Sequence, residues 1–161
     1  MGRLRSITVA QEIPQATPTE VWNVVVAMEQ WTDFQDAFTV ELLEDATVVE
    51  LGTEIRITSD FGLLQPVTLE RISVVEEPNR LCWDQTGIEF VGLPIPVPQF
   101  LLSTAGNRCL ELTDLNGGGT MVLNTITFSG LLSPLVVIAT GRLVEQGFRR
   151  FVTGLAQVFA E

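Results

Sequence analysis

Carboxylates and two thiols are the only side chains of this 161-residue chain suited to passing a proton near neutral pH, because it contains no His, no Lys and no Tyr. That excludes imidazole bases, the Ser-His-Asp triad, lysine Schiff bases, the P-loop lysine and His-ligated metals. Asp33, Asp60, Asp84, Glu111 and Asp114 fall on strands or near turns where a cavity would open. No spacing among them marks an acid–base pair, and a catalytic carboxylate would have to be desolvated with a raised pKa. No catalytic residue is therefore assigned, and neither a metal nor a cofactor is expected. Cys82 and Cys109 make no metal motif and are read as reduced, buried thiols. A cross-strand bridge is the alternative, disfavoured in a cytoplasmic setting.

Two amides stand out as polar groups on apolar faces. Val122, Asn124, Ile126 and Phe128 share one face of a period-two segment, assigned inward, so Asn124 either finds backbone or water partners or orients a ligand. Leu81, Trp83 and Gln85 alternate in the same way, which makes Gln85 the second polar candidate. Arg56 lies opposite Ile55 and Ile57 and is read as an outward, salt-bridging residue.

The elements that position these residues follow from periodicity and breakers. A first strand covers Ser6 to Ile13. Thr17 and Glu20 with Pro18 between them form a capping box that opens a helix, followed by one more short turn near Trp31. Strands are expected at about Thr39 to Glu44, Thr53 to Ser59, Val67 to Glu76, Arg80 to Thr86, Arg108 to Leu115 and Thr120 to Ser129, the last two joined by Asn116-Gly117-Gly118-Gly119. Ser133 and Pro134 start a long amphipathic helix that runs to about Phe159 and sets Thr140, Val144, Phe148 and Phe151 on its apolar face. Gly147 and Gly154 lie at one edge of that face, where they permit either close helix–sheet packing or a ligand trough. An apolar excursion over 88–106, with Phe90, Phe100 and prolines at 94, 96 and 98, is read as a lid or as a homodimer contact.

Twenty acidic residues against nine arginines give a net charge of −11, so no basic field exists for nucleic acid or an anionic membrane. With 46% hydrophobic and 18% charged residues the chain is expected to fold as one domain over 1–161. The uncharged stretch from Leu115 to Gly141 is long enough to span a bilayer by count but carries three successive glycines and Pro134, so stable membrane insertion is not expected. No targeting signal is evident, and a cytoplasmic location is the simplest reading.

Several segments, in order across nearly the whole chain, carry a resemblance: Ala16-Thr17-Pro18-Thr19-Glu20-Val21-Trp22, Glu77-Pro78-Asn79-Arg80-Leu81-Cys82-Trp83, Gly118-Gly119-Thr120, and Phe128-Ser129-Gly130-Leu131-Leu132-Ser133-Pro134-Leu135. Together they resemble the START-related helix-grip superfamily, which includes polyketide cyclase/dehydrase-like and lipid-transfer-like proteins. The resemblance implies an α+β helix-grip fold: a curved antiparallel sheet of about seven strands wrapped around a long C-terminal helix, with one or two short helices after the first strand. It also implies a hydrophobic cavity between sheet and helix. Many relatives have an Asp just after the first helix where this chain reads Val26-Ala27-Met28-Glu29, and relatives that catalyse often use His or Tyr, which are absent here.

The expected function is binding of a small hydrophobic molecule, lipid or polyketide-like, by Trp83, Gln85, Phe90 and Phe100, by Asn124, Ile126 and Phe128, and by Thr140, Val144, Gly147, Phe148 and Phe151 on the helix. The alternatives are a cyclase or dehydratase using a cavity carboxylate, and a protein-interaction module built on the excursion.

Overall fold

The structure is a computed structural model that describes residues 5–62, 65–90, 105–130 and 133–160, with backbone only at 90, 105, 133–137 and 139. The order is β1 (Arg5–Ile13), α1 (Pro18–Val25), a 3-10 turn (Met28–Asp33), β2 (Phe38–Leu42), β3 (Glu54–Ser59), β4 (Val67–Glu76), β5 (Arg80–Phe90), β6 (Ala105–Leu115), β7 (Gly119–Ser129) and α2 (Ser133–Val158). The seven strands form one antiparallel sheet in the order β1-β7-β6-β5-β4-β3-β2, so the chain meanders from β2 to β7 and β1 closes on β7. The helix-grip expectation holds, and β5 is the central strand of the sheet.

Local chemistry accounts for the boundaries. The Thr17 hydroxyl accepts the Glu20 amide at 3.2 Å and Pro18 opens α1, as the capping box requires. Gly117 and Gly118 take φ of +121° and +97° in the β6–β7 turn, a region that side-chain-bearing residues rarely enter. Three boundaries differ from the sequence reading by two residues or more, the first being β2, which stops at Leu42 short of Glu44. β5 runs on to Phe90 and β6 begins at Ala105, because Gly87–Phe90 and Ala105–Asn107 continue the strands rather than belong to the excursion. Residues 91–104, with Phe100, lie outside the described residues.

Buried side chains collect on the concave face of the sheet and on α2, which lies against β1 and β7; Val144, Phe148, Phe151 and Leu155 are among its buried residues, and the Phe148 and Phe151 rings meet Phe38 of β2. The outer face is polar: Ser6 bonds Thr127 and Thr8 bonds Thr125, each at 3.0 Å. Arg56 also points outward, bridging Glu41 and Glu89 at 2.7 and 2.8 Å, as read from the sequence.

Gly154 and Gly147 serve close packing. The Phe34 carbonyl oxygen occupies the space a Cβ would need at Gly154, with Gln35 Cβ next to it. A Cβ on Gly147 would lie 2.5 Å from the Phe61 ring. The glycine at 147 therefore holds an aromatic side chain of the protein itself. Gly154→Ala should lower stability by about 1–3 kcal/mol through overpacking against backbone, despite a helix-propensity gain of about 1 kcal/mol. Thermal unfolding of the variant checks this; an unchanged or raised Tm would contradict the packing role.

Cys82 and Cys109 are register partners on β5 and β6 and form a disulfide, which corrects the expectation of two free thiols. Sequence alone does not set the β5–β6 register that brings them face to face. The bridge closes a loop of sequence separation 27, and loop-closure entropy assigns it about 3 kcal/mol. The double substitution Cys82→Ala/Cys109→Ala should show that loss in denaturant unfolding. A loss below about 1 kcal/mol would mean that the bridge contributes little.

Candidate functional site

A diagonal of polar side chains crosses the concave face. Asn124 on β7 stands opposite Leu110 on β6; two residues along β6, Arg108 stands opposite Trp83 on β5; two residues along β5, Gln85 stands opposite Glu70 on β4. Alternation along each strand puts all of these on the inward face with Val122, Leu110, Leu81 and Ile72. The residues come from four adjacent strands in the middle of the sheet.

Arg108 lies at the centre and is 4% exposed. Its Nε donates to Asn124 Oδ1 at 3.0 Å. Five aromatic rings surround its guanidinium, with centroids at 4.3 Å for Phe38, 4.5 Å for Phe148, 5.1 Å for Trp83, 5.3 Å for Phe151 and 5.8 Å for Trp31. The rings supply cation–π attraction, which grows when the cation is desolvated. They accept no ordinary hydrogen bond in return, and among the described residues Arg108 has no carboxylate within 4 Å.

Three buried donors around this point have no partner among the described residues: Arg108 Nη2, Asn124 Nδ2 and Trp83 Nε1. Trp31 differs, since its indole N–H donates to the Val25 carbonyl at 2.9 Å. Buried polar atoms in folded proteins are nearly always paired, so a cluster of three unmet donors needs a reason. The other unmet atoms, Ser73 Oγ and Arg80 Nε, belong to residues whose neighbours Ile72 and Leu81 face inward.

Glu70 is the buried acid of the face, 9% exposed. Burial pushes its carboxyl up to about 7, Asp84 adds to that, and the Arg108 charge and the Thr68 hydroxyl oppose it. Burial likewise pulls the Arg108 guanidinium below the usual arginine range, with Glu70 resisting, and it remains a cation at neutral pH.

The residues singled out from sequence divide by place. Trp83 and Asn124 belong to the polar diagonal, and Gln85 follows one step along β5. Phe148 and Phe151 face it from α2, Val144 is buried one turn before Phe148, and Thr140 is half-buried one turn earlier still. Ile126 is half-buried beside Gly106, and Phe128 is buried at the end of β7. Phe90 is placed as the last residue of β5, with its side chain outside the described residues. Asp33, Asp60, Asp84 and Asp114 are exposed and Glu111 pairs with Arg80 at 3.6 Å, so none of the five is the interior carboxylate.

Arg108 and Glu70 were missed. For Arg108 the signal was present, because Gly106, Arg108, Leu110 and Leu112 alternate and the last two are plainly inward. For Glu70 it was weaker: Glu70, Arg71 and Ile72 alternate in, out and in, but β4 breaks register on both sides of this short run, so the pattern cannot be extended along the strand.

Space for a ligand is distributed differently from the cavity implied by the resemblance. Around Arg108 the described residues fill the interior with rings. Beyond it, toward the ends of β5 and β6, the floor consists of Gln85, Gly106 and Ile126, with Gln85 and Ile126 half-buried. Among the described residues the atoms nearest a Cβ on Gly106 would be Gln85 Oε1 and Ile126, at 3.5 Å, an ordinary contact distance, so these residues leave room for a methyl group two positions along β6 from Arg108. A separate open groove of about 560 Å³ lies on the outside, between Thr32–Asp36 and the Arg149–Gln157 part of α2.

No family model matches the chain and no curated protein matches it by sequence. Solved structures do match it closely in shape. The protein TTHA0849 from Thermus thermophilus superposes with a TM-score of 0.70 at 14% identity, covering 95% of each chain. Norcoclaurine synthase from Thalictrum flavum, in complex with dopamine and hydroxybenzaldehyde, gives 0.70 at 11% identity over 98% of this chain and 87% of that one. Ginseng major latex-like protein 151 from Panax ginseng gives 0.72 at 8% identity over 98% and 99%. At these identities the likeness is one of fold, and the fold shared is the helix grip.

Proposed function

We propose that the chain, acting as one domain over 1–161, binds a small hydrophobic molecule inside the helix grip, seated over Gln85, Gly106 and Ile126 and reaching Arg108. The observation that carries this reading is the group of three unmet donors near a partly covered floor of Ile126, Gly106 and Gln85. A ligand with a polar head would meet the donors and bury its body against the floor, at roughly 25 cal/mol per Å² of apolar surface. A shared fold with an enzyme that holds small aromatic molecules is compatible with this use of the interior.

One observation favours a second reading. A buried carboxyl near pH 7 is suited to proton transfer, which is the property required of the cyclase- or dehydratase-like alternative. In that case Glu70, two strands from Arg108, is the acid–base group.

Location remains part of the proposal. No helix among the described residues is long and apolar enough to cross a membrane. The expected cytoplasmic setting and a closed Cys82–Cys109 bridge pull in opposite directions. Alkylation of free thiols in protein taken directly from its source decides between them.

The buried indoles of Trp31 and Trp83 report on occupancy. Titration with dodecan-1-ol should change tryptophan emission saturably at one molecule per chain, and Gly106→Val should abolish the change by filling the gap. No saturable change in the native protein, or binding unaltered in Gly106→Val, would refute the seat.

A further inference from the structure

Binding of a small apolar molecule leaves the chemical class of the ligand open, and the charges of the site narrow it. Resting on that proposed binding function, we infer that the ligand is a hydrophobic monocarboxylate whose head group pairs with Arg108 and takes hydrogen bonds from Arg108 Nη2, Asn124 Nδ2 and Trp83 Nε1.

Charge is the first reason. A buried cation is costly unless it is paired, and among the described residues Arg108 has rings around it but no anion within 4 Å. Glu70 is the other buried ionisable group of the face, and its carboxyl is raised to about 7, so it is a poor permanent counter-ion. The missing partner is therefore one negative charge. A phosphate, with a charge of about −1.5 to −2 at neutral pH, would overcompensate a single buried cation.

Hydrogen-bond polarity is the second reason. All three unmet atoms are donors. The Arg108 Nε–H···Oδ1 bond fixes the Asn124 amide with its oxygen toward Arg108, which makes the unmet end of that amide its NH₂. A neutral alcohol offers one oxygen and brings a proton that needs an acceptor. An ionised carboxylate offers two oxygens with about four acceptor sites and brings no donor. Bonds from a charged donor to such a group are also the stronger kind.

Shape is the third reason. Beyond the donors the described walls are the Ile126 side chain and the Gln85 amide, whose Oε1 faces the space over Gly106. The Ile126 side of that path suits an apolar body attached to the head group.

The test compares matched pairs that differ only in the head: dodecanoate with dodecan-1-ol, and naphthalene-2-carboxylate with naphthalen-2-ylmethanol, by isothermal titration at pH 7. The acid of at least one pair should bind about tenfold or more tightly than its alcohol. Arg108→Met should bring the two within about twofold of each other. Trp83→Phe, which removes the indole N–H and keeps a ring, should weaken the acid and spare the alcohol, and it serves as the readout if Arg108→Met does not fold. Equal binding of acid and alcohol would overturn the inference while leaving the binding function standing, with the donors then met by water. Binding of neither would overturn both. Discrimination that survives Arg108→Met and Trp83→Phe would place the anion elsewhere and overturn the assignment.

Discussion

Arg108→Ala is expected to destabilise the protein by about 3–5 kcal/mol, the range for removing a buried charged residue from its partners and leaving a hole. The side chain occupies the space between the Phe38 and Phe148 rings, and its loss leaves Asn124 Oδ1 without a donor. It also deprives Glu70 of the cation that holds its carboxyl down. Arg108→Met separates volume from charge. Methionine refills most of the space, removes the desolvated cation and forfeits chiefly the bond to Asn124, worth about 1–3 kcal/mol. Denaturant unfolding should therefore rank native protein above or close to Arg108→Met, and both well above Arg108→Ala. If alanine and methionine cost the same, the ring cage does not depend on what fills it.

Stability should fall as pH rises from about 5 to 8, by about 3 kcal/mol in total, and Glu70→Gln should flatten the slope. Glu70 has a carboxyl raised from 4.5 to about 7, and a shift of that size corresponds to about 3 kcal/mol. Between those two values the folded protein keeps a proton that the unfolded chain has released. Its contribution is therefore complete below the ordinary carboxylate range and is lost as pH rises through the folded value. The charged groups that act on it are Arg108 across the face and Asp84 on β5. The window is unusually clean because the chain has no His. The carboxylates of Glu54 and Glu89 are lowered, by Arg71 and Arg56 respectively, and so act at more acidic pH. Urea unfolding at several pH values checks the sign; a flat profile, or one rising with pH, would show that Glu70 is ionised in the folded protein.

Much of the fold was legible because its determinants are local. Ser133 and Pro134 announce α2, Thr17 and Pro18 announce α1, and the glycines after Asn116 announce the last hairpin. The inward face of β7 follows from alternation, which marks Asn124 as a buried amide from sequence alone. The chemistry of the site was less legible. Arg108 stands in an apolar alternation, although a lone arginine on a strand usually faces solvent. Reading the face strictly, from Leu112 and Leu110 back to 108, would have placed it inside. Glu70 is harder to place, since only the short run to Ile72 alternates before register breaks on either side interrupt the count. The roles of Gly147 and Gly154 depend on Phe61 and Phe34, which approach from distant parts of the chain. The Cys82–Cys109 pairing is likewise a matter of register between strands, invisible to either sequence segment alone.

The central claim is that the interior of the grip is a binding site for a small apolar molecule. Native mass spectrometry of freshly purified protein, followed by denaturing extraction, tests it most directly, with the emptied protein then offered fatty acids, sterols and aromatic polyketides. The account predicts one apolar molecule per chain, carrying a carboxyl group, either retained through purification or taken up from the panel. A clean protein mass at isolation together with no adduct from any member of the panel would contradict it.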